Sequence, residues 1–232
     1  MASEDNKIHL SLDDVIDQCY NLAKQIASAA DSLNSKEINL IYLKNGGTFP
    51  GETVYLILTQ MGYAVNNYSP HYGRYGKETI GKKPKLKRGG SLSKEQKAAI
   101  VKSVNEGNLT IILDELVDEG ATMTKALEDL RKYDNGSGTE RYDKSKFKAT
   151  VWGAVLNRKT PYFNIPETEA IIRENFVKFY ANDPPNGWLT FPWEAESKYS
   201  REHIDLKKLI YEKPTDIDSL RNYITERLSK RD

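Results

Sequence analysis

The sequence predicts an α/β protein with a central, mostly parallel sheet flanked by helices, and three observations carry that expectation. The apolar run Leu109-Thr110-Ile111-Ile112-Leu113 lacks strict alternation, which suits a strand covered on both faces. A similar run over residues 38–43, Ile-Asn-Leu-Ile-Tyr-Leu, passes at once through two glycines into a helical pattern. Strand-like runs then alternate with helical periodicity through most of the chain. With 232 residues and 38% hydrophobic composition, there is material for one sizeable core and an extra subdomain. Thirty-four basic residues against thirty-three acidic ones leave no global field that would favour nucleic acid or a membrane surface. Cys19 is the single cysteine, so neither an internal disulfide nor a cysteine-rich metal site is available, and the cytosol is the expected compartment. The polar start Met-Ala-Ser-Glu-Asp-Asn-Lys and the lack of any run of spanning length predict no membrane association.

Taken in order, residues 11–32 read as an amphipathic helix capped by Ser11, with Leu12, Val15, Ile16, Cys19, Leu22, Ala23, Ile26 and Ala30 on one stripe. Cys19 is therefore expected in the core rather than as a reactive thiol. After the strand at 38–43 come Lys44-Asn45-Gly46-Gly47-Thr48-Phe49-Pro50-Gly51. The paired glycines permit close approach of backbone to a ligand, and Pro50 suits the first turn of a helix running to about Met61. A short strand from Tyr63 to Tyr68 leads into residues 69–92, a stretch rich in glycine in which Arg74, Lys77, Lys82, Lys83, Lys85, Lys87 and Arg88 interleave with Tyr72 and Tyr75. A long basic loop of this kind suits a lid over a polyphosphate, or a contact with RNA. A helix over 93–106 with Ser93 as cap precedes the organising strand, and another follows from near Thr122 to about Tyr133. The polar insertion Asp134 to Lys146 carries no visible chemistry; a strand over 147–157 ends at Asn157-Arg158-Lys159-Thr160-Pro161, and a later one covers Phe176 to Tyr180. Beyond Glu196, two amphipathic helices flank a break at Lys213-Pro214.

The chemistry is expected where the strand at 109 ends. Asp114 and Glu115 should stand at that end, where open α/β sheets form their ligand crevice. Asp118, Glu119, Gly120, Ala121 and Thr122 then form a short loop into a helix start, whose converging N–H groups make an anion cradle. Acids on one side and an anion cradle on the other match a sugar phosphate: vicinal hydroxyls toward the acids, phosphate toward the cradle.

The run Asp114-Glu115-Leu116-Val117-Asp118-Glu119-Gly120-Ala121-Thr122 resembles the signature of the type I phosphoribosyltransferases: two acids, two apolar residues, then Asp-Thr-Gly-x-Thr. Glu119 replaces the family's usual threonine. The Gly46-Gly47 turn followed by Pro50-Gly51 is similar to the xanthine-guanine branch, and the apolar-Lys-x-Gly-Gly opening to the hypoxanthine-guanine enzymes, with Asn45 where a basic residue often precedes the glycines. The hood motif is Trp188-Leu189-Thr190-Phe191-Pro192-Trp193-Glu194. Its spacing resembles the xanthine-guanine enzymes, whose first aromatic stacks on the purine.

The resemblance covers roughly residues 38–194 and implies a phosphoribosyltransferase domain over 1–195, with its base-binding hood at about 158–195, and a helical C-terminal extension over 196–232. It implies transfer of 5-phosphoribosyl from phosphoribosyl pyrophosphate (PRPP) to N9 of a 6-oxopurine, with Mg2+ as cofactor and a homodimeric assembly. Asp114 and Glu115 would hold the ribose hydroxyls and the metal, residues 118–122 the 5-phosphate, and Lys44, Asn45, Gly46 and Gly47 the pyrophosphate. Asp118 would act as the base. Lys159, with Arg158 as the alternative one residue away, would meet the 6-oxo group; Trp188, Leu189 and Glu194 would complete the base site, and Trp193 would pack. A regulatory or RNA-binding protein that kept the cradle but lost catalysis is the other reading, favoured by Glu119 and Asn45.

Overall fold

The computed structural model describes residues 7–44, 46–71, 92–117, 121–131, 143–158, 176–182, 188–194, 197–199, 201–208, 210 and 217–230. Asn45, Asp118 to Gly120, Lys159, the basic loop from Tyr72 and the side chains of Ala121 and Trp188 lie outside that description.

Five strands make one all-parallel sheet: β2 (Ile38–Tyr42), β3 (Val65–Tyr68), β4 (Leu109–Val117), β5 (Val151–Arg158) and β6 (Val177–Asn182), in the order β3-β2-β4-β5-β6. The period of two in a strand explains why the central strands β2, β4 and β5 send apolar side chains to both faces. Leu40, Tyr42, Leu109, Ile111, Leu113, Ala154 and Leu156 face one core. Ile41, Ile112, Val117, Val151 and Val155 face the other. Helices α1 (Leu12–Ser32) and α2 (Thr48–Gln60) cover the first face, and α3 (Lys94–Asn105) and α4 (Ala121–Arg131) the second.

The caps are where the sequence places them. Ser11 Oγ accepts the Asp14 N–H at 3.1 Å while Asp14 Oδ2 accepts the Ser11 N–H at 2.8 Å, and Ser93 forms the same reciprocal box with Gln96. Cys19 is fully buried, and burial pushes its thiol well above the ordinary cysteine value, as a core residue requires.

Three features depart from the sequence reading. Asp114 and Glu115 do not follow the strand: β4 continues to Val117, so both acids lie inside it. The segment from Phe147 is not all strand, because Asp143 caps a short helix α5 (Lys144–Thr150) through the Ser145 N–H at 2.8 Å, and β5 starts only at Val151. The polar N-terminus also contributes β1 (Lys7–His9), which pairs in parallel with β7 (Trp188–Thr190), Ile8 opposite Leu189.

The C-terminal residues form a single helical turn, α6 (Ile204–Lys207), and a longer helix, α7 (Ile217–Ser229). Their apolar side chains Leu206, Ile210, Leu220, Ile224 and Leu228 join the α1/α2 core. Among the described residues no helix is long and apolar enough to cross a membrane.

Trp193, fully buried, ties the segment after β7 to that core by stacking on Phe191 at 5.2 Å and leaning on Phe49 of α2 at 5.2 Å. Trp193→Ala is expected to cost about 3–5 kcal/mol in urea unfolding; a loss under about 1 kcal/mol would show that the ring is not the anchor of this segment.

Candidate active site at the carboxyl edge of the sheet

The site begins where two neighbouring strands separate. Pairing of β2 with β4 runs to Tyr42 opposite Leu113, and the Leu43 N–H adds one more bond to the Leu113 carbonyl at 2.9 Å. There β2 turns away, while β4 runs on beside β5 with Asp114 opposite Val155 and Val117 opposite Arg158. The two acids therefore stand on a strand supported on one side only, and the turn after β2 crosses over them.

That crossing is close. A Cβ built on Gly46 would lie 1.8 Å from Glu115 Oε1, and one built on Gly47 would lie 2.4 Å from the Leu43 carbonyl oxygen and 3.2 Å from Asp114 Oδ1. The glycines thus admit the protein's own carboxylates against the backbone. Asp114 Oδ1 accepts the Glu115 N–H at 3.0 Å. Glu115 Oε2 is buried with no hydrogen-bond partner, a state that costs on the order of 1–3 kcal/mol or more for a charged group and marks a position for a ligand or ion.

On the other side of the turn, the Lys44 N–H donates to the Pro70 carbonyl at 3.0 Å, which fixes the loop against the segment after β3. Gly47 is the N-cap of α2 and offers no capping side chain of its own, and the positive end of the helix dipole lies at this turn.

Of the remaining predicted residues, Thr122 is part-buried in the first turn of α4. Arg158 closes β5, with its guanidinium 3.9 Å above the Tyr180 ring. Trp188 begins β7, Leu189 beside it is buried in the α1/α2 core, and Glu194 Oε2 accepts the Phe191 N–H at 2.8 Å, closing the turn after β7. Asp114, Glu115, Gly46 and Gly47 are brought together; Glu194 is engaged within its own turn.

Two polar features were not anticipated. Asn157, fully buried at the end of β5, donates to Gln18 Oε1 at 3.1 Å and leaves its own Oδ1 without a partner. Glu52, also fully buried, sits in α2 within a network described below. Its signal in the sequence is a lone acid inside the apolar helix Thr-Phe-Pro-Gly-Glu-Thr-Val-Tyr-Leu-Ile-Leu.

No family model and no curated protein matches the sequence. Solved structures do. The chain is similar to hypoxanthine phosphoribosyltransferase from Trypanosoma cruzi in complex with the product IMP, at TM-score 0.51 and 16% identity over 80% of this chain and 84% of that one. It is similar to the same enzyme in a study of its C-terminal region, oligomeric state and activity, at TM-score 0.51 and 16% identity over 80% and 82%. A third structure of that enzyme gives TM-score 0.50 and 15% identity over 78% and 82%. The fold is that of the type I phosphoribosyltransferases. In that fold the Gly46-Gly47 turn and the acids of β4 occupy the carboxyl edge of the sheet, where α/β proteins hold ligands.

The two glycines should respond differently to a methyl group. Gly47→Ala meets backbone and is expected to lose about 1–3 kcal/mol of stability. Gly46→Ala meets only the end of a flexible side chain, so it should keep its stability while a crystal structure shows the Glu115 carboxylate displaced. The reverse order of stability losses would contradict this packing.

Proposed function

We propose that the protein is a purine phosphoribosyltransferase, which joins a 6-oxopurine to PRPP and releases pyrophosphate. The observation that carries this reading is the buried, unpartnered Glu115 carboxylate oxygen beside Asp114, under the Gly46-Gly47 turn. The likeness of the motifs and the fold supports it.

Asp114 and Glu115 would orient the ribose hydroxyls. Magnesium fits the donor set of this pair: hard carboxylate oxygens, one of them lacking any partner, in a number that leaves coordination for water and substrate oxygens. When bound, it would supply positive charge that steadies the departing pyrophosphate. The Lys44 to Gly47 turn and the first turn of α2 would hold the pyrophosphate through N–H groups and the Lys44 ammonium. The residues 118–122 would cradle the 5-phosphate, so the donor is gripped at both phosphate ends and its anomeric carbon is presented to the base.

As pyrophosphate leaves, the sugar becomes oxocarbenium-like and water competes with the purine for the same carbon. The basic loop of residues 69–92 is suited to close over the donor and exclude it. Asp118, four residues beyond Asp114, would face N7 and take up the purine proton. Lys159 or Arg158 at the end of β5 would meet the 6-oxo group, and Trp188, with Leu189 and Glu194 of the hood, would frame the base. The solved hypoxanthine phosphoribosyltransferase bound to IMP makes hypoxanthine the first base to offer.

The deciding experiment measures pyrophosphate release by the purified protein with Mg2+ and PRPP, offering guanine, hypoxanthine, xanthine, adenine, uracil and orotate in parallel. Release with one or more 6-oxopurines is expected. Silence with all six would overturn the assignment, and donor binding without turnover would favour the regulatory reading. Asp118→Asn is expected to lower turnover on the order of a hundredfold with donor binding kept; wild-type rates in that variant would remove Asp118 as the base.

A further inference from the structure

The pyrophosphate turn is spanned by a bond between its own flanks. Tyr42 is the last residue of β2 and Glu52 lies in the first half of α2; the Tyr42 hydroxyl donates to Glu52 Oε1 across the whole segment 43–51. Gly51 lies against the Tyr42 ring, where a Cβ would approach to 2.3 Å. Burial and the Glu52 carboxylate push the Tyr42 hydroxyl well above the ordinary tyrosine value, so it stays protonated and donates. Asn67 of β3 donates to the same oxygen at 3.3 Å.

The other oxygen of Glu52 is taken from far along the chain. Arg221 of α7 donates through Nε to Glu52 Oε2 at 2.7 Å, with its guanidinium 4.8 Å from the Tyr55 ring. Glu52 is fully buried, while Arg221 keeps 29% of its side chain exposed. A carboxylate without solvent depends on its partners for its position, and removal of the cation leaves a buried charge that pulls the surrounding groups toward water.

We infer that Arg221 is a positioning residue: by pairing Glu52 it holds the Tyr42–Glu52 clasp closed, and thereby sets the conformation of the 43–51 turn from the C-terminal helix. As a role in donor binding this rests on the proposed function; as a mechanical link it does not. The Tyr42–Glu52 bond ties α2 to the end of β2 and the ion pair ties Glu52 to the C-terminal helix, and Gly46 and Gly47 lie in the turn between the two flanks of the clasp. The C-terminal helix is thus part of the phosphate site's support, in addition to filling the core.

The test compares wild type, Arg221→Met, Arg221→Lys, the double variant Glu52→Gln/Arg221→Met, and Leu228→Ala, which loosens α7 in the core without touching Glu52. Amide hydrogen exchange of the peptide spanning residues 43–51 is read first. It is expected to quicken on the order of tenfold in Arg221→Met, to recover partly in Arg221→Lys, and to recover in the double variant, which has no buried charge left. With PRPP and the active base, Arg221→Met should raise the donor KM on the order of tenfold and the base KM less than about twofold.

Unchanged exchange in Arg221→Met, or equal quickening in Leu228→Ala, would overturn the inference. So would donor and base KM rising together. A wild-type protein that does not bind PRPP overturns the proposed function instead, and the exchange comparison still decides the role of Arg221.

Discussion

The last hydrogen bond between β2 and β4, from the Leu43 N–H to the Leu113 carbonyl, decides where the candidate site opens. Up to that point the two strands satisfy each other's backbone inside a sheet covered on both faces. Beyond it β2 must leave, and the chain can turn over Asp114 and Glu115 only because Gly46 and Gly47 carry no side chains. The outcome is a carboxylate oxygen that is buried and unpartnered at the edge of a parallel sheet. Such an arrangement is unfavourable by itself and becomes favourable when a ligand or cation completes it.

The same few residues link the two halves of the site. Phe49, in the first turn of α2, takes one side of Trp193, and the stretch that includes Trp193 continues β7. The turn proposed for the pyrophosphate and the hood proposed for the base therefore share one apolar contact, so a shift in either is felt by the other. One turn further along α2, Glu52 joins the helix to β2, β3 and α7 through Tyr42, Asn67 and Arg221. Helix α2 is thus held from three directions.

Much of this was legible in the residues because strands buried on two faces must be apolar throughout. The runs at Ile38 and Leu109 could hardly be anything else, and Ser11 and Ser93 announce their helices by the acceptors they offer. What failed to show was short or distant. β1 has three residues, too few for any period to register, and its partner lies at Trp188. α5 is governed by one cap, Asp143, ahead of lysines that resemble a loop. Side-chain polarity begins at Asp114 and so marks a strand end in the sequence, whereas backbone pairing with β5 carries β4 three residues beyond it. Paired glycines in a sequence signal close approach without naming the partner; the nearest groups they admit are Glu115 and the Leu43 carbonyl. Glu52 was visible as a misplaced acid, but its partner Arg221 is 169 residues away and no local pattern connects them.

The most direct measurement is calorimetric titration of PRPP into the wild-type protein and Glu115→Gln, each with Mg2+ and with EDTA. If the Glu115 carboxylate and its metal complete the donor site, the wild type binds in Mg2+, and affinity falls on the order of tenfold or more both on chelation and in the variant, with no further loss when the two are combined. Equal affinity in all four titrations would contradict the assignment of the donor to the cleft between Glu115 and the Gly46-Gly47 turn.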